Sequence, residues 1–422
     1  MKKNIIAILT ILSFSTIIYA NSFDNPKSMA LGDAYLTKAS GFQAVDWNPA
    51  NLGLIKNFVT INLFQLNSKV SNNSFSLAYY NDLMGKYLDE SDKQDLLDRI
   101  PNSGFCIDMN SGFNIPVTSF SVWKLALSVN AHAKASVELS KEYFDIILHG
   151  NKLGKVYDFS DNTGEAISYI ETRLGYGDLL PISLISSKLE DIPPIYGGIS
   201  LGYIYGIGYA KISDFKSRFG TSDSLMLIDN DIIAKTAGYN TDDSKASIED
   251  GNPAGIGFRA NIGFFSPITK DISVGLAFNN LFGTINWNED CEEHCMHIYT
   301  DTLTIDNWDD SLLVDTTYSI DSFKQSIPFE IHLGGSYKLK KYNFYLDYVQ
   351  GFGKSILTSK KPKISLGAEY WTFKWLPLRV GMGFGGDEGL HFAFGTGIEF
   401  KNFEFNWAIR NHGAILPQSS KG

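Results

Sequence analysis

The sequence lacks a second long apolar segment, an interdomain linker and an excess of basic charge. Its one long apolar run lies in residues 1–20, and no later run approaches the length of roughly 18–20 residues that a transmembrane helix needs. No Pro/Ser-rich stretch and no repeat of about 20–50 residues divides the 422-residue chain. Acidic residues outnumber basic ones by 46 to 36, for a net charge of −10. We therefore expect neither a helical membrane protein nor a nucleic-acid partner.

Residues 1–20 are typical of a signal peptide. Lys2 and Lys3 provide the positive start, an apolar core follows, and Ala20 is a suitable cleavage position. No cysteine comes directly after Ala20, which argues against a lipoprotein. An uncleaved membrane anchor is the alternative reading of this segment. Cleavage would remove two lysines and change the net charge from −10 to −12.

The C-terminal third of the chain alternates with a period of two. One face of each segment is apolar and rich in Phe, Tyr and Trp, whereas the other face carries the charges and many glycines. A soluble β-sandwich also alternates in this way. The aromatic residues near strand ends and the short polar turns favour a membrane barrel instead. The alternating segments are 329–339, 342–349, 363–372, 378–384, 390–400 and 403–410.

The fold class that these patterns predict is all-β, a transmembrane antiparallel up-and-down β-barrel of about 14 strands over residues 57–412. Helical periodicity after a serine predicts loop helices at 91–100 and 140–151, and a third helix-like insertion spans 177–191. Further strands are expected, with less regularity, near 57–67, 73–81, 104–110, 117–132, 165–177, 196–212, 223–236, 254–265 and 271–286, with one or two more in 296–327.

A single pinned turn precedes the first strand, in the stretch "DWNPANLG" at 46–53. Asn48 is a helix N-cap, Pro49 tolerates the first helical position, and Gly53 favours termination. The stretch therefore encodes little more than one helical turn. Taken alone, this pattern fits a surface turn as well as an internal element.

Residues 29–53 resemble the N-terminal segment of the FadL/TodX-type outer-membrane transporters and the related PorV/PorQ-like barrels. The segments 272–287 and 364–384 also look like late strands of this group. Asp33 departs from the pattern, since it replaces a glycine of the small-residue run. The matching residues are the small-residue run Ala30, Leu31, Gly32, Ala34 and Tyr35, then Trp47, Asn48, Pro49 and Ala50, followed by Leu52 and Gly53.

The resemblance implies that residues 21–56 form a plug, or hatch, inside the barrel. It implies a location in the outer membrane of a Gram-negative cell, in contact with outer-membrane lipid. The implied function is passive transport of hydrophobic small molecules, such as long-chain fatty acids, with the ligand in the lumen. The alternative is a non-transporting PorV-like subunit or shuttle that works with secretion-machinery proteins. Neither reading implies a cofactor, and no Ser/His/Asp-type arrangement suggests an enzyme.

Nine ionisable residues fall on the face expected to line the lumen. Charges enclosed in a barrel are costly unless they pair, so we expect most of them to hold the lumen together, with contact to a substrate as the alternative. These residues are Glu330, His332, Asp347, Glu369, Arg379, His391, Glu399, Glu404 and Arg410.

The stretch "CEEHCMH" is the one cluster that looks like a metal site. It holds Cys291, His294, Cys295 and His297 in a long acidic segment. In an oxidising envelope we predict a local Cys291–Cys295 disulfide, with two free thiols or a zinc site as alternatives. The acidic run 306–310 reads as solvated loop charge rather than a calcium site, because it lacks the expected glycine and bidentate glutamate.

The last ten residues, 413–422, read as a tail. They contain a turn and no terminal aromatic residue. Two interpretations stay open: 403–410 is the closing strand with a short tail, or the sequence lacks its end.

Overall fold

A computed structural model describes residues 25–181, 192–223, 225–240, 245–303 and 313–422. The predicted signal peptide, the acidic run 306–310 and most of the helix-like insertion 177–191 lie outside the described residues. Of that insertion, residues 177–179 belong to a strand.

The described part of the chain is dominated by strands, which we number in chain order. They are β1 (Val59–Ile61), β2 (Gln65–Asn72), β3 (Phe105–Asn114), β4 (Phe120–Val122), β5 (Leu125–Leu139), β6 (Val156–Asp158), β7 (Thr163–Leu179), β8 (Tyr196–Thr221), β9 (Met226–Ala237), β10 (Tyr239–Asn240), β11 (Lys245–Ala246), β12 (Gly255–Pro267), β13 (Ile272–Trp287), β14 (Glu292–Leu303), β15 (Val314–Ser319), β16 (Phe323–Ser326), β17 (Glu330–Leu339), β18 (Tyr342–Gly351), β19 (Lys363–Phe373), β20 (Leu376–Gly385), β21 (His391–Phe400) and β22 (Phe403–His412).

Helices are short by comparison. Within the described ranges, none combines the length and the apolar character needed to cross a membrane. The α-helices are α1 (Pro26–Ala30), α2 (Ala44–Trp47), α3 (Leu77–Leu83), α4 (Glu90–Arg99) and α5 (Lys141–His149), and 3-10 turns span Gly41–Gln43, Pro49–Leu54, Ser247–Asp250 and Pro417–Ser419.

The main wall is an antiparallel meander, as the sequence predicts. β1 with β2, β3 with β4, and β16 with β17 each act as one interrupted strand. Counted in this way, the described residues form thirteen wall strands, against the fourteen expected. Every neighbouring pair is antiparallel, in the order β1/β2, β3/β4, β5, β7, β8, β12, β13, β16/β17, β18, β19, β20, β21 and β22.

The C-terminal residues lie between the first and the last wall strands. The backbone N–H of Asn72 donates to the Lys421 carbonyl at 2.8 Å, and the N–H of Lys421 donates to the His412 carbonyl at 3.0 Å. The strand predicted at 403–410 extends to His412, and the chain then returns alongside it.

A second group of strands extends the wall at one of its ends. The distal half of β8 leaves the meander and pairs with β6 and β9. β9 then pairs with β14, and β14 with β15. The wall continues past this extension because β8 also pairs with β12.

The two faces of the wall have the predicted chemistry. On the outer face, large apolar side chains are exposed, for example Phe384 at 65% and Phe405 at 57%. On the inner face, Glu369 and Arg379 are 1% and 2% exposed. An apolar exterior that runs without interruption over neighbouring strands is far larger than the patches of ordinary soluble proteins. The charged side chains of these strands are therefore enclosed, and the large apolar side chains face outwards.

Two local predictions need correction. Residues 73–81 were expected to form a strand, but α3 begins within them at Leu77, because the hydroxyl of Ser76 accepts the Tyr79 N–H at 3.3 Å and caps the helix. Helix α4 is capped by Asp89 rather than by a serine, since the Asp89 carboxylate accepts the Asp92 N–H at 2.8 Å. The helix predicted at 140–151 is confirmed as α5, which ends at His149 with Gly150 as its C-cap.

The structure contradicts the predicted disulfide, because Cys291 and Cys295 are both free thiols. Cys295 lies on β14, and Cys291 precedes its first residue. Four extended residues span about 13 Å at roughly 3.3 Å per residue, whereas a disulfide needs Cα atoms within about 7 Å. The same geometry points His294 and Cys295 to opposite faces of the strand, so the cluster does not converge as a zinc site would.

Alkylation should therefore detect three thiols without prior reduction. We expect unfolding in iodoacetamide to add three carbamidomethyl groups to the protein, as counted by intact mass. A Cys295→Ser variant should add two. A mass gain of one group before reduction and three after it would show that the disulfide forms.

Candidate functional site

The N-terminal segment, residues 25–54, lies inside the barrel. It consists of α1, α2 and the two 3-10 turns Gly41–Gln43 and Pro49–Leu54. Leu31, Leu36 and Val45 are fully buried. Because this segment is in no sheet, its backbone needs partners from its own side chains and from the wall.

Asparagine side chains fix the shape of the N-terminal segment. Asn25 caps α1 by accepting from the Lys27 and Ser28 N–H groups. Asn48 accepts the Ala50 N–H at 3.1 Å and so starts the second 3-10 turn, as the sequence predicts. The turn runs to Leu54 and ends at Ile55 in a left-handed conformation, past the expected stop at Gly53.

Further hydrogen bonds connect the segment to itself and to the wall. The Asn51 amide donates to the carbonyls of Leu36 and Ala39, at 2.9 and 3.0 Å. Asp347 on β18 accepts two consecutive backbone N–H groups, from Tyr35 at 2.7 Å and from Leu36 at 2.8 Å. One buried carboxylate thus satisfies two donors that would otherwise be stranded inside the barrel.

The wall meets the N-terminal segment with glycines, which we call the glycine seat. A Cβ atom at Gly381 would lie 2.1 Å from the Gly32 nitrogen, and one at Gly198 would lie 2.3 Å from the Pro49 carbonyl carbon. No other residue type leaves room for contacts this close. The glycine seat comprises Gly175, Gly177, Gly198, Gly263, Gly275, Gly334, Gly367, Gly381 and Gly395, on eight strands.

Each of the four charged residues between 25 and 54 faces an opposite charge of the wall. The partners come from both the predicted lumen residues and residues further upstream. Lys27 contacts Glu404 and lies 3.6 Å from Glu399, Lys38 lies 2.8 Å from Glu369, Asp33 contacts Arg410 and lies 2.6 Å from Lys363, and Asp46 lies 3.5 Å from Arg173.

Asp33, which replaces a glycine of the small-residue run, pairs with two cations of the wall, Lys363 and Arg410. Its φ is +73°, a conformation that costs most non-glycine residues energy. Burial alone would raise the pKa of Asp33, but Arg410 and Lys363 hold it well below its usual range. The strain is offset because the same conformation delivers the carboxylate to two cations. The sequence marked this position as unusual but did not indicate its role.

Asp33, Glu388 and His391 also form a group of potential metal ligands among the described residues. The two carboxylates are already engaged by cations, since Lys363 lies 2.6 Å from Asp33 and 2.9 Å from Glu388. We therefore interpret this cluster as an ion-pair network rather than a metal centre.

A second buried network was missed by the sequence analysis. Glu171 on β7 accepts from Arg259 on β12 at 2.7 Å and lies 2.9 Å from Arg173, the partner of Asp46. The alternation of 171 and 173 along one strand face is the signal that would have located it. It was overlooked because the upstream strands are less regular.

The predicted lumen residues are brought together in three places. Arg379 joins Glu369 at 2.7 Å and contacts Glu399, while His332 lies 3.3 Å from Glu330.

Other predicted lumen residues contact the N-terminal segment. His391 and Arg410 lie around Asp33, and Asp347 accepts hydrogen bonds from the segment's backbone. Glu404 differs from the others, because its side chain is 45% exposed and reaches Lys27 at the rim.

Little space separates residues 42–47 of the segment from β3 and β5. A cavity lined by Phe42, Asp46, Trp47, Asn130 and His132, among others, has a volume of about 10 Å³. That is room for about one water molecule. The arrangement can hold a segment in place, and the described residues around the segment form no reactive constellation.

Comparisons with known proteins agree with this architecture. Residues 49–409 match the model of a family described as "Family of unknown function (DUF5723)". The toluene transporter TodX of Pseudomonas putida is similar, with 9% identity, 94% of each chain covered and a TM-score of 0.50. A TodX deltaS2S3 mutant, titled a monoaromatic hydrocarbon channel, has 10% identity, covers 92% of this chain and 93% of its own, and has a TM-score of 0.52.

The Ralstonia pickettii toluene transporter TbuX has 12% identity, with 92% of this chain and 93% of that chain covered, and a TM-score of 0.48. The comparison with curated proteins gave no match. At these identities the TodX structures establish a shared fold, and the predicted barrel fold is thereby confirmed.

Adding one methyl group to the glycine seat should destabilise the protein. In Gly381→Ala the new Cβ meets backbone at 2.1 Å, so we expect a loss of about 1–3 kcal/mol in the free energy of unfolding. Gly335→Ala is the matched control, because a Cβ there meets nothing within 4 Å. The measurement is the temperature at which the folded band converts to the unfolded band on gels. Equal stability of the two variants would contradict the close contact.

The stability of the protein should also depend on the protonation of Asp46. Burial raises the pKa of Asp46 to about 6, although Arg173 acts in the opposite direction. The folded state therefore favours the protonated carboxyl, and this stabilisation is present below about pH 4 and lost as the pH rises through 6. Relative to Asp46→Asn, wild type should lose about 2 kcal/mol of unfolding free energy between pH 4 and pH 7. Denaturant titration of both proteins in lipid vesicles measures this difference, and parallel pH profiles would refute it.

Proposed function

The chain belongs to the DUF5723 family of unknown function, and we propose that it is an outer-membrane channel through which hydrophobic small molecules pass by diffusion. Three features support the proposal. The outer face of the wall is apolar, the charged residues are enclosed, and a folded N-terminal segment occupies the interior. The titles of similar folds name a toluene transporter and a monoaromatic hydrocarbon channel.

The observation that carries the proposal is the fit of the N-terminal segment into the wall. In this proposal the segment is the plug that the sequence resemblance implies. Its backbone lies on the glycine seat, and its four charges are paired with charges of the wall. Such a segment closes the barrel in one defined position, since buried ion pairs are costly to separate.

Passage then requires part of the segment to leave the wall. No nucleotide or cofactor is needed, because a hydrophobic molecule moves down its own concentration gradient. The ligand class is hydrophobic small molecules in general, and long-chain fatty acids are one member of the panel to be tested. Uptake of hydrocarbons and of fatty acids should be compared in cells with and without the protein in their outer membrane. Unchanged uptake across that panel would refute transport.

Cross-linking the segment to the glycine seat should stop passage. A Cβ at Gly175 would lie 3.2 Å from the Val45 Cβ, close to the roughly 3.5–4.5 Å of a disulfide. We expect the oxidised Val45→Cys/Gly175→Cys pair to lower uptake of the transported probe at least tenfold. Reduction should restore it, because only the cross-link prevents the segment from moving.

The native thiols are removed first, by replacing Cys106, Cys291 and Cys295 with serine. Each single cysteine variant in that background is a control for the substitution itself. Uptake that is equal in the oxidised and reduced pair would show that the segment does not gate the barrel.

A further inference from the structure

An apolar cavity of about 680 Å³ lies on the outer side of the wall. Its floor is formed by outward-facing side chains of neighbouring strands, and residues 192–195 form part of its rim. The floor side chains include Phe264, Val274, Leu276, Leu333, Leu346 and Ile364, from β12, β13, β17, β18 and β19.

Two features make a cavity out of a wall that is otherwise a continuous surface. Gly335 faces outwards between Leu333 and Tyr337, and a Cβ atom there would meet nothing within 4 Å. Ile192, Pro193 and Ile195, which precede β8, lie over the same space as side chains from β18 and β19. The absence of a side chain at Gly335 makes the cavity deeper. Ile192, Pro193 and Ile195 cover part of it.

The chemistry of the lining selects the occupant. Among the described residues that line the cavity, none has a charged side chain, and Ser266 and Tyr348 are the polar ones. An ionised head group placed there would lack a partner, at a cost of several kcal/mol or more. A volume of this size suits one small ligand, since typical ligand pockets have about 300–1,000 Å³.

The cavity lies directly behind the N-terminal segment. Gly275 and Gly334 face each other across β13 and β17, and both line the cavity with their backbone. On the inner side, a Cβ atom at Gly334 would lie 2.9 Å from Leu36, and one at Gly275 would lie 3.3 Å from Asn48. A single layer of glycine backbone therefore separates an apolar space outside from the segment inside.

We propose that this cavity is a binding site for an uncharged hydrophobic small molecule taken up from the lipid phase. The inference deepens the proposed function by naming the ligand class, and it rests on that function only for the presence of membrane around the wall. Binding at this site does not require that the molecule crosses the barrel.

Filling the cavity should weaken binding of a neutral hydrocarbon. The probe is radiolabelled naphthalene, titrated into nanodiscs that carry the full-length protein, with empty nanodiscs to subtract partitioning into lipid. We expect one saturable site per chain in wild type and at least tenfold weaker binding in Val274→Trp. Val380→Trp should stay within twofold of wild type, since Val380 is outward-facing on β20 and similarly exposed but does not line the cavity.

Three further binding measurements test the proposal. Gly335→Leu should weaken binding as Val274→Trp does, with the folded band on gels confirming that both variants fold. Palmitate at pH 8, where it is ionised, should not compete with naphthalene. The oxidised Val45→Cys/Gly175→Cys pair should still bind, which separates this site from passage through the barrel.

The proposal is overturned if wild type shows no saturable component beyond annular lipid. Equal losses in Val274→Trp and Val380→Trp would also overturn it, and so would competition by ionised palmitate. Binding that persists without any uptake in cells would refute the proposed transport and leave the site standing.

Discussion

Close approach of two backbones, that of residues 25–54 and that of the inner wall, is the constraint on which the rest of the structure depends. A segment without long helices or strands cannot satisfy its own peptide groups, so the wall must come near enough to do so. Glycines such as Gly198 and Gly381 permit that distance, and Asp347 supplies an acceptor at the point where two N–H groups meet the wall. Alternation along the strands then follows, because every second residue of the wall has to be small or polar.

Charge pairing adds specificity to this contact. A buried ion pair contributes little net stability relative to apolar packing, because both ions lose water, but removal of one partner leaves a costly unpaired charge. The segment carries two cations and two anions, and each meets its opposite at a different part of the wall. A segment shifted along the barrel would leave several of them unpaired. The pairs therefore act mainly to define one position.

The sequence predicted the fold well where alternation is regular, and less well where local chemistry decides. Between 329 and 412 every strand and both of its faces could be anticipated, since period two with charge on one side has a single structural solution in a membrane wall. A helix begins at Leu77 within the strand expected at 73–81 because the Ser76 cap, a local interaction, outweighs the pattern. The Cys291–Cys295 disulfide was predicted from the short spacing of the two cysteines, but β14 keeps that spacing extended and so holds them apart.

The interior could be anticipated as polar but not in its pairings. The lumen-facing carboxylates and arginines follow from the alternation, whereas the link from Asp33 to Arg410 joins residues that no local rule relates. Glycines on the inner face were visible in the sequence as well. Their role is visible only in the structure, because a glycine in the sequence indicates that a side chain is missing but not which atoms occupy that space.

These contacts also impose an order on how the protein is made. Asp33 meets Lys363 and Arg410, which are 330 and 377 residues further along the chain, and Tyr35 meets Asp347 after 312. Residues 33–36 therefore gain these partners only after β18 and the later strands are synthesised, whereas residues 45–49 contact β7 and β8 earlier. Loop closure over such distances makes the ordering of residues 33–36 a late event in folding, and until then they have to be kept from premature aggregation.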